Sequence, residues 1–547
     1  MAEQEPRPPR MGLVLSASAA GTVFEWYDFF IFGSLLSIIN THFFAGAGET
    51  QGYIFALLTF SVGFAVRPLG GLVFGYFGDR TGRKRTFLFT ITLMGIATFA
   101  IGLLPDSAQV GALAPYLLIA MRVLQGFAVG GEYGGAAVYV AEHAAPDRRG
   151  AATGWIQVAA TIGLFLALSI ILIVRTTMGE KAFGDWGWRI PFLLSLALLA
   201  ISIWIRLQLE ESPAFRELQA SGRTSHAPLS EAFLRWQNLR VVLVVLIGLL
   251  MGQGVVWYTA QFYTQFFLER VVRVEPRMVN FLILSVTVAS GLLHVFFARL
   301  SDRTGRKPIM LFGLALAALL FIPGFRWLTE AVNPGLSTAI ARAPVTVFAA
   351  PAGCSFQFDL IGKAEFISSC DIAKSTLANL GVPYRNEPAD PGQLARIRIG
   401  TTTLSSFDGT VLAPSALATA QKNFAAEVRT ALTHAGYPAK ADSSRIDMLR
   451  AIAILLIFVT AAAALYGPQA ATLVELFSTR IRYSALSLPY HVGVGWFGGF
   501  LPPIAFAIVA ATGDLYAGLW YPVAIAALGF VVTLLFLPET RGRDITA

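Results

Sequence analysis

Asp79-Arg80-Thr81-Gly82-Arg83-Lys84 returns without a change as Asp302-Arg303-Thr304-Gly305-Arg306-Lys307. Each copy follows an apolar run long enough to cross a bilayer as a helix, about 20 residues. Working outward from the two copies, such runs fall at 13–40, 52–76, 86–104, 113–142, 152–175, 188–208, 241–268, 279–299, 308–328, 449–476, 484–511 and 517–537. Each copy then lies after the second run of a six-run half. Charge alone could anchor topology, but an identical six-residue string at equivalent positions is hard to obtain by chance. The repeat therefore reads as two parallel halves with a solute site at their interface near the midplane. Gly82 and Gly305 permit a tight turn. Asp79 and Asp302 can take up a helix N-terminus or an arginine and so lock one conformation. With Arg80, Arg83, Arg303 and Arg306 they form the candidate conformational gate.

Composition agrees with a lipid-embedded chain. Of 547 residues 55% are hydrophobic and 14% charged, against about a quarter charged in a soluble protein. The net charge of +8 does not gather on one soluble unit, which argues against a nucleic-acid partner. It sits in loops. Arg80, Arg83, Lys84 and Arg85 follow the second run, Arg148 and Arg149 the fourth, and Arg303, Arg306 and Lys307 the eighth. Arg206, Arg216, Arg223, Arg235 and Arg240 surround the link between the sixth and seventh, and Arg480 and Arg482 follow the tenth. With twelve spans all of these share one side, whereas loops 42–52 and 105–111 on the other side hold no Lys or Arg. The positive-inside bias predicts a multi-pass protein of a bacterial inner membrane with both termini cytoplasmic. Residues 1–10 are polar and the apolar run behind them is too long for a cleavable leader.

One segment does not suit a membrane. Residues 329–447 are polar, rich in Ser, Thr, Asp and Pro, and far longer than an ordinary loop. Val345-Thr346-Val347-Phe348 and Ala395-Arg396-Ile397-Arg398-Ile399 read as strands. Residues 371–380 read as a short helix closed by Gly381 and Pro383. Residues 415–435 read as an amphipathic helix with Leu417, Phe424, Val428 and Leu432 on one face. Both cysteines of the chain, Cys354 and Cys370, lie here. On the external side they predict a disulfide contributing roughly 3 kcal/mol. The expected fold is an all-α membrane protein of twelve transmembrane helices in two pseudo-symmetric six-helix bundles, with a small α/β periplasmic insert between spans nine and ten. The expected divisions are 1–209, a cytoplasmic linker 210–240, 241–328, the insert 329–447, and 448–547. Three roles stay open for the insert: screening solutes, binding a periplasmic partner or stiffening the outer face.

Charges inside the apolar runs carry the chemistry. Glu25 and Asp28 sit three apart near the middle of span one, on one helix face. A central charge costs at least about 2.5–3.5 kcal/mol on insertion scales, so it should face a cavity or a partner. Desolvation and a nearby cation pull such a carboxylate's proton affinity in opposite directions, which suits a proton carrier. Span four adds Arg122 and Glu132. Proton coupling is expected of Asp28, Glu132 and Glu25. Arg122 can hold a substrate carboxylate bidentately, with Arg67 as a second cation. Tyr27, Gln125, Tyr133, Gln253, Trp257, Tyr258, Tyr466, Gln469 and Tyr490 complete the candidate solute-binding set. The bland alternative is that these charges pair permanently, Arg67 or Arg122 with Asp28 or Glu132, and only hold helices together. For single polar residues such as Gln253, Gln261, Tyr263, His294 and His491, interhelical hydrogen bonding is the stronger expectation. Trp186 and Trp188 read as headgroup anchors.

Several of these strings together are specific. Gly21-Thr22-Val23-Phe24-Glu25-Trp26-Tyr27-Asp28-Phe29, Arg67-Pro68-Leu69-Gly70-Gly71 and Gly130-Gly131-Glu132-Tyr133-Gly134-Gly135 join the loop string. So do Trp186-Gly187-Trp188-Arg189-Ile190-Pro191, Glu211-Ser212-Pro213-Ala214-Phe215 and Glu475-Leu476-Phe477-Ser478-Thr479-Arg480-Ile481-Arg482-Tyr483. With them the chain, apart from the insert, resembles the metabolite:proton symporter branch of the major facilitator superfamily. The resemblance implies two six-helix bundles, alternating access and proton-coupled uptake of a dicarboxylate, tricarboxylate, shikimate-like acid or zwitterionic osmolyte. No nucleotide-binding loop, metal-ligand spacing or nucleophile–base–acid set is visible, so the expectation is a carrier and not an enzyme, with no cofactor or metal, driven by the proton gradient. Span five shows no proline of the Gly-Pro type found in export carriers, which disfavours antiport. Osmosensory members of the branch have a long C-terminal coiled coil, whereas this sequence stops soon after Pro538-Glu539-Thr540. An organic acid is therefore the first expected substrate, with an osmolyte as the alternative. A sensor that uses the insert is the rival from another class.

Overall fold

The computed structural model describes residues 11–44, 49–356 and 367–545. The polar N-terminal stretch, part of loop 42–52 and part of the 329–447 insert lie outside the described residues. The first six long helices are α1 (Met11–Ser34), α2 (Glu49–Thr81), α3 (Arg83–Leu103), α4 (Leu113–His143), α5 (Pro146–Met178) and α6 (Arg189–Leu207). A linker with short helices leads to α7 (Trp236–Val271), α8 (Pro276–Thr304) and α9 (Arg306–Val332). Among the described residues ten helices are long and apolar enough to cross a membrane: those from α3 to α9 and three near the end of the chain. α1 and α2 are helices of 24 and 33 residues.

After α9 the chain leaves this pattern. β1 (Val345–Ala349) pairs in parallel with β2 (Tyr384–Pro388) and antiparallel with β3 (Arg396–Ile399), which pairs antiparallel with β4 (Thr402–Ser405), giving the order β2-β1-β3-β4. α10 (Ser369–Asn379) and α11 (Pro414–His434) pack on it. Val347, Ile397, Leu377, Phe424 and Val428 form a core separate from that of the helix bundle. Cys354 and Cys370 are bonded to each other. The chain then returns as α12 (Met448–Leu476), α13 (Arg482–Thr512) and α14 (Ala517–Phe536).

The halves cross symmetrically. α5 packs on α8 and α12, while α2 and α4 pack on α13. Small residues allow the close approaches: a Cβ on Gly126 of α4 would lie 2.8 Å from the Cα of Gly63 on α2. Without water to drive apolar surfaces together, such contacts supply much of the packing between helices in lipid. Outward-facing Leu172, Ile201, Leu292 and Leu319 are exposed, as lipid contact requires.

Two helices are not regular. α7 widens to π geometry at Val245–Leu250, Thr259–Tyr263 and Phe267–Val271, and α13 does so at His491–Gly498. Single-turn widenings of this kind concentrate at functional sites. The expected anchor Trp188 is fully buried against Phe43 and Phe192 with Arg189 over its ring, so it packs the N-terminal half; Trp186 is exposed.

Candidate functional site

Near mid-helix, both halves contribute to a small cavity of about 20 Å³, room for little more than one water. α1 supplies Thr22, Glu25 and Trp26, α2 supplies Arg67, and α4 and α5 supply Tyr133 and Gln157. From the other half come Trp257 and Tyr258 on α7, Tyr466 on α12, and Tyr490 and Val494 on α13. Arg67 lies 4.5 Å from the Phe64 ring and makes no ion pair within 4 Å among the described residues. Glu25 likewise has no ion-pair partner there. One carboxyl and one guanidinium thus share an aromatic chamber. Trp26 and Trp257 meet at 5.2 Å, and Tyr133 stacks on Tyr490 at 3.8 Å. One turn further along α1 and α7, Phe29 and Phe262 close over the chamber with Phe64.

Other candidates lie behind this wall. Asp28 accepts hydrogen bonds from Gln125 Nε2 (2.7 Å) and Thr98 Oγ1 (2.9 Å), and Gln125 Oε1 accepts one from Arg122 (2.8 Å). The Arg122 guanidinium lies 4.1 Å from the centre of the Phe32 ring. This network ties α1, α3 and α4 together, and a single glutamine separates the acid from the cation. Tyr27 is fully buried and donates to the Pro191 carbonyl (2.6 Å), so its hydroxyl locks α1 to α6 and does not reach the chamber. Gln253 and Gln469 are buried on α7 and α12 but outside the lining.

Glu132 has a partner whose place in the sequence puts it among the loop cations. It pairs with Arg206 at the end of α6 and also accepts from Thr90 (3.1 Å). Arg206 donates to the Phe87 carbonyl and sits over the Phe87 ring. A Cβ at Gly21 would collide with both members of the pair, which explains a glycine in α1 at that level. Trp26 and Gln157 are lining residues that sequence reasoning missed, though Trp26 stands beside Glu25 and Gln157 is an isolated amide in an apolar run.

The repeated loops meet across the halves. Asp79 accepts the backbone N–H groups of Tyr483 (3.1 Å) and Ser484 (2.8 Å) at the start of α13. Asp302 accepts those of Gly150 (2.9 Å) and Ala151 (2.7 Å) near the start of α5. Each aspartate therefore grips the positive end of a helix belonging to the opposite half. Arg83 pairs with Asp79 at 2.9 Å and Arg306 with Asp302 at 2.6 Å. Glu142 holds Arg482 at 2.5 Å and Glu475 holds Arg306 at 3.1 Å. Glu211 accepts from the Arg83 amide (3.0 Å) just as Glu539 does from the Arg306 amide (2.9 Å). Gly82 and Gly305 adopt φ of +114° and +103°, which only glycine takes easily. Arg80 and Arg303 stand outside this lattice: both are exposed, and Arg80 donates to Tyr76 on its own helix.

Outside the spans, Glu539 would be raised by burial, but the amides of Arg306, Arg541, Lys307 and Thr540 outweigh that and hold its carboxyl below the usual carboxylate range. Glu231 in the linker behaves likewise: burial is outweighed by hydrogen bonds from Arg480 and Ser225. Among the described residues no three His, Cys, Asp or Glu come together as a metal-ligand set.

Comparison with known proteins agrees with this architecture. The chain matches the family described as "Sugar (and other) transporter" over residues 13–230 and 430–547. It is 35% identical over 328 residues to a glycine betaine/proline/ectoine/pipecolic acid transporter of Dickeya dadantii, covering 58% of this chain and 64% of that one. The chain thus spans somewhat under two thirds of that relative's length. It is 36% identical over 317 residues to the shikimate transporter of Escherichia coli K12, covering 56% of this chain and 70% of that one. A solved proton:xylose symporter of the major facilitator superfamily, bound to 6-bromo-6-deoxy-D-glucose, superimposes with a TM-score of 0.62 at 16% identity over 98% of both chains. The chain belongs to the sugar (and other) transporter family within the major facilitator superfamily, and it is a multi-pass membrane protein.

Proposed function

We propose that this chain imports a small zwitterion bearing a carboxylate, such as a betaine or proline, together with protons. The observation that carries the reading is the presence of Glu25 and Arg67, not paired with each other, in one aromatic chamber between the halves. Arg67 offers a planar donor fork for a carboxylate. Trp26, Trp257 and the tyrosines offer ring faces to a substituted ammonium, worth about 2 kcal/mol when desolvated. A protonated Glu25 leaves Arg67 to the solute. Once the proton departs, Glu25 can compete for Arg67 and eject it. The similarity to a betaine and proline carrier supports the same direction.

In this reading twelve helices span a bacterial inner membrane in two six-helix bundles, with both termini in the cytoplasm and the α/β unit outside. The Lys and Arg bias of the loops and the helix order support that orientation. The present conformation is shut at the gate by the paired loops and above the chamber by Phe29, Phe64 and Phe262. Loading proton and solute lets the halves rock. The energy suffices: about 2.3 kcal/mol per charge per 100 mV plus about 1.4 per pH unit.

An organic acid is the second reading, favoured by the similarity to a shikimate carrier. A dianion would need a second cation in the chamber, and Arg122 is held by Gln125 behind it. Proteoliposomes with an imposed proton gradient decide between the two. Accumulation of labelled glycine betaine or proline that collapses with a protonophore is expected. Uptake of shikimate or citrate with none of the zwitterions would transfer the assignment to acids, and accumulation indifferent to the gradient would end the symport reading.

A further inference from the structure

A groove of about 620 Å³ runs along the membrane-facing seam between α5 and α8. The two helices touch at its end, where a Cβ on Gly154 would lie 2.5 Å from that of Ala298. They splay around Gly291, whose Cβ would meet only Thr161 at 3.5 Å. The walls are apolar and exposed: Trp155, Phe165, Leu292 and Phe296. At the gate end stand Arg299 and Arg303. Both are exposed, and neither makes an ion pair within 4 Å among the described residues. The neighbouring carboxylate, Asp302, is already taken by Arg306 and the amides of Gly150 and Ala151.

Two arginines four apart on one helix face repel each other unless an anion lies between them. Here the gap opens directly onto an apolar trough on the lipid side of the bundle. Inorganic phosphate would answer the arginines and leave the trough unfilled, whereas a hydrocarbon alone would leave the arginines unanswered. We infer that the groove binds one anionic phospholipid, its phosphate between Arg299 and Arg303 and an acyl chain along Trp155, Phe165, Leu292 and Phe296. Basic clefts between spans on the cytoplasmic side are suited to such headgroups. Because the site straddles the seam beside the Asp302 contact to α5, an occupied groove favours the α5–α8 spacing of the present conformation.

Native mass spectrometry of the full chain in detergent tests this with phosphatidylglycerol and phosphatidylcholine of identical chains. Phosphatidylglycerol should be retained about thirtyfold better, the scale that two membrane-facing arginines supply. The pair Arg299→Gln with Arg303→Gln should erase that preference, and the lysine pair should keep it. Gly291→Phe, which fills the trough without touching the charges, should weaken retention of both lipids. Equal retention of the two lipids by the unaltered protein, an unchanged preference in the glutamine pair, or displacement of the lipid by millimolar inorganic phosphate would each overturn the inference.

Discussion

At the scale of single residues the three carboxylates expected to couple protons separate by what surrounds them. Glu132 is in a buried pair with Arg206, one oxygen of Asp28 accepts from Thr98 and Gln125, and Glu25 faces the chamber. Removing one partner of a buried pair typically costs about 3–5 kcal/mol because the other charge is stranded. Arg206→Ala should therefore lower thermal stability sharply, and adding Glu132→Gln should restore most of it. Glu25→Gln should remain folded yet lose concentrative, pH-driven uptake, while Glu132→Gln combined with Arg206→Ala, which strands neither charge, keeps it within a few-fold. Transport assays with folding followed by thermal shift check both. Loss of coupling in the folded Glu132→Gln, Arg206→Ala variant with full coupling in Glu25→Gln would exchange the roles of the two acids. The sequence could show that these acids were costly and hence meaningful. It could not show which one faces the solute. Glu25 and Asp28 are three residues apart, a phase difference of about 60° around the helix, and that angle sends one toward α7 and the other toward α3 and α4. Arg206 was hidden for a related reason: at the last turn of a span, a cation committed to a buried pair looks like a topology charge.

Among the elements, the repeated loops were the most legible and the wide turns of α7 and α13 the least. An identical string forces an equivalent structure, and the aspartates do cap helices of the opposite half. A π turn depends on how one residue too many is absorbed during packing, and no residue type announces it. The edge strands β2 and β4 were also missed, because edges carry polar residues and prolines and so lack the alternation of β3; Tyr384–Pro388 is exposed after its first residue. Loss of one cap should bias the gate. A cap is worth about 1 kcal/mol, so Asp302→Ala should shift the open-to-closed ratio roughly fivefold, seen as faster amide exchange at Gly150 and Ala151. Glu539 adds a pH dependence of known sign. Its carboxyl is held low by four backbone amides, so its contribution is complete above the free value of about 4.3 and fades as pH falls through the lowered one. Glu539→Gln should loosen the same amides at neutral pH, as acid does in the unaltered protein. Identical exchange in the two proteins at pH 7 would remove Glu539 from the latch.

For the whole molecule the open question is what the α/β unit does to the helices beneath it. It is tied to the ends of the two helices that carry π turns and chamber rings. The Tyr384 hydroxyl donates to the Ala510 carbonyl near the end of α13, its amide donates to the Gly513 carbonyl just beyond (2.9 Å), and the Asn386 side chain donates to the Thr512 carbonyl (2.9 Å). At the other edge Asn333 donates to the Val272 carbonyl after α7 (2.9 Å), and the Ala441 amide to that of Arg273 (3.0 Å). Any movement of α7 or α13 must therefore carry the unit along or break these bonds. If the unit steadies those ends, Tyr384→Ala with Asn386→Ala should alter the uptake rate by on the order of fivefold, a typical coupling between sites, while leaving proton dependence intact. A signalling role for the unit, with a bundle that does not transport, predicts instead that neither the double variant nor the unaltered protein accumulates solute. Cys354→Ser with Cys370→Ser separates folding of the unit from its attachment. Losing a link across this loop should cost the unit about 3 kcal/mol, visible as protease cleavage inside it, with uptake preserved as long as the Tyr384 and Asn386 contacts hold. Uptake abolished in the serine pair while the bundle's thermal transition stays in place would make the folded unit a working part of the transport cycle.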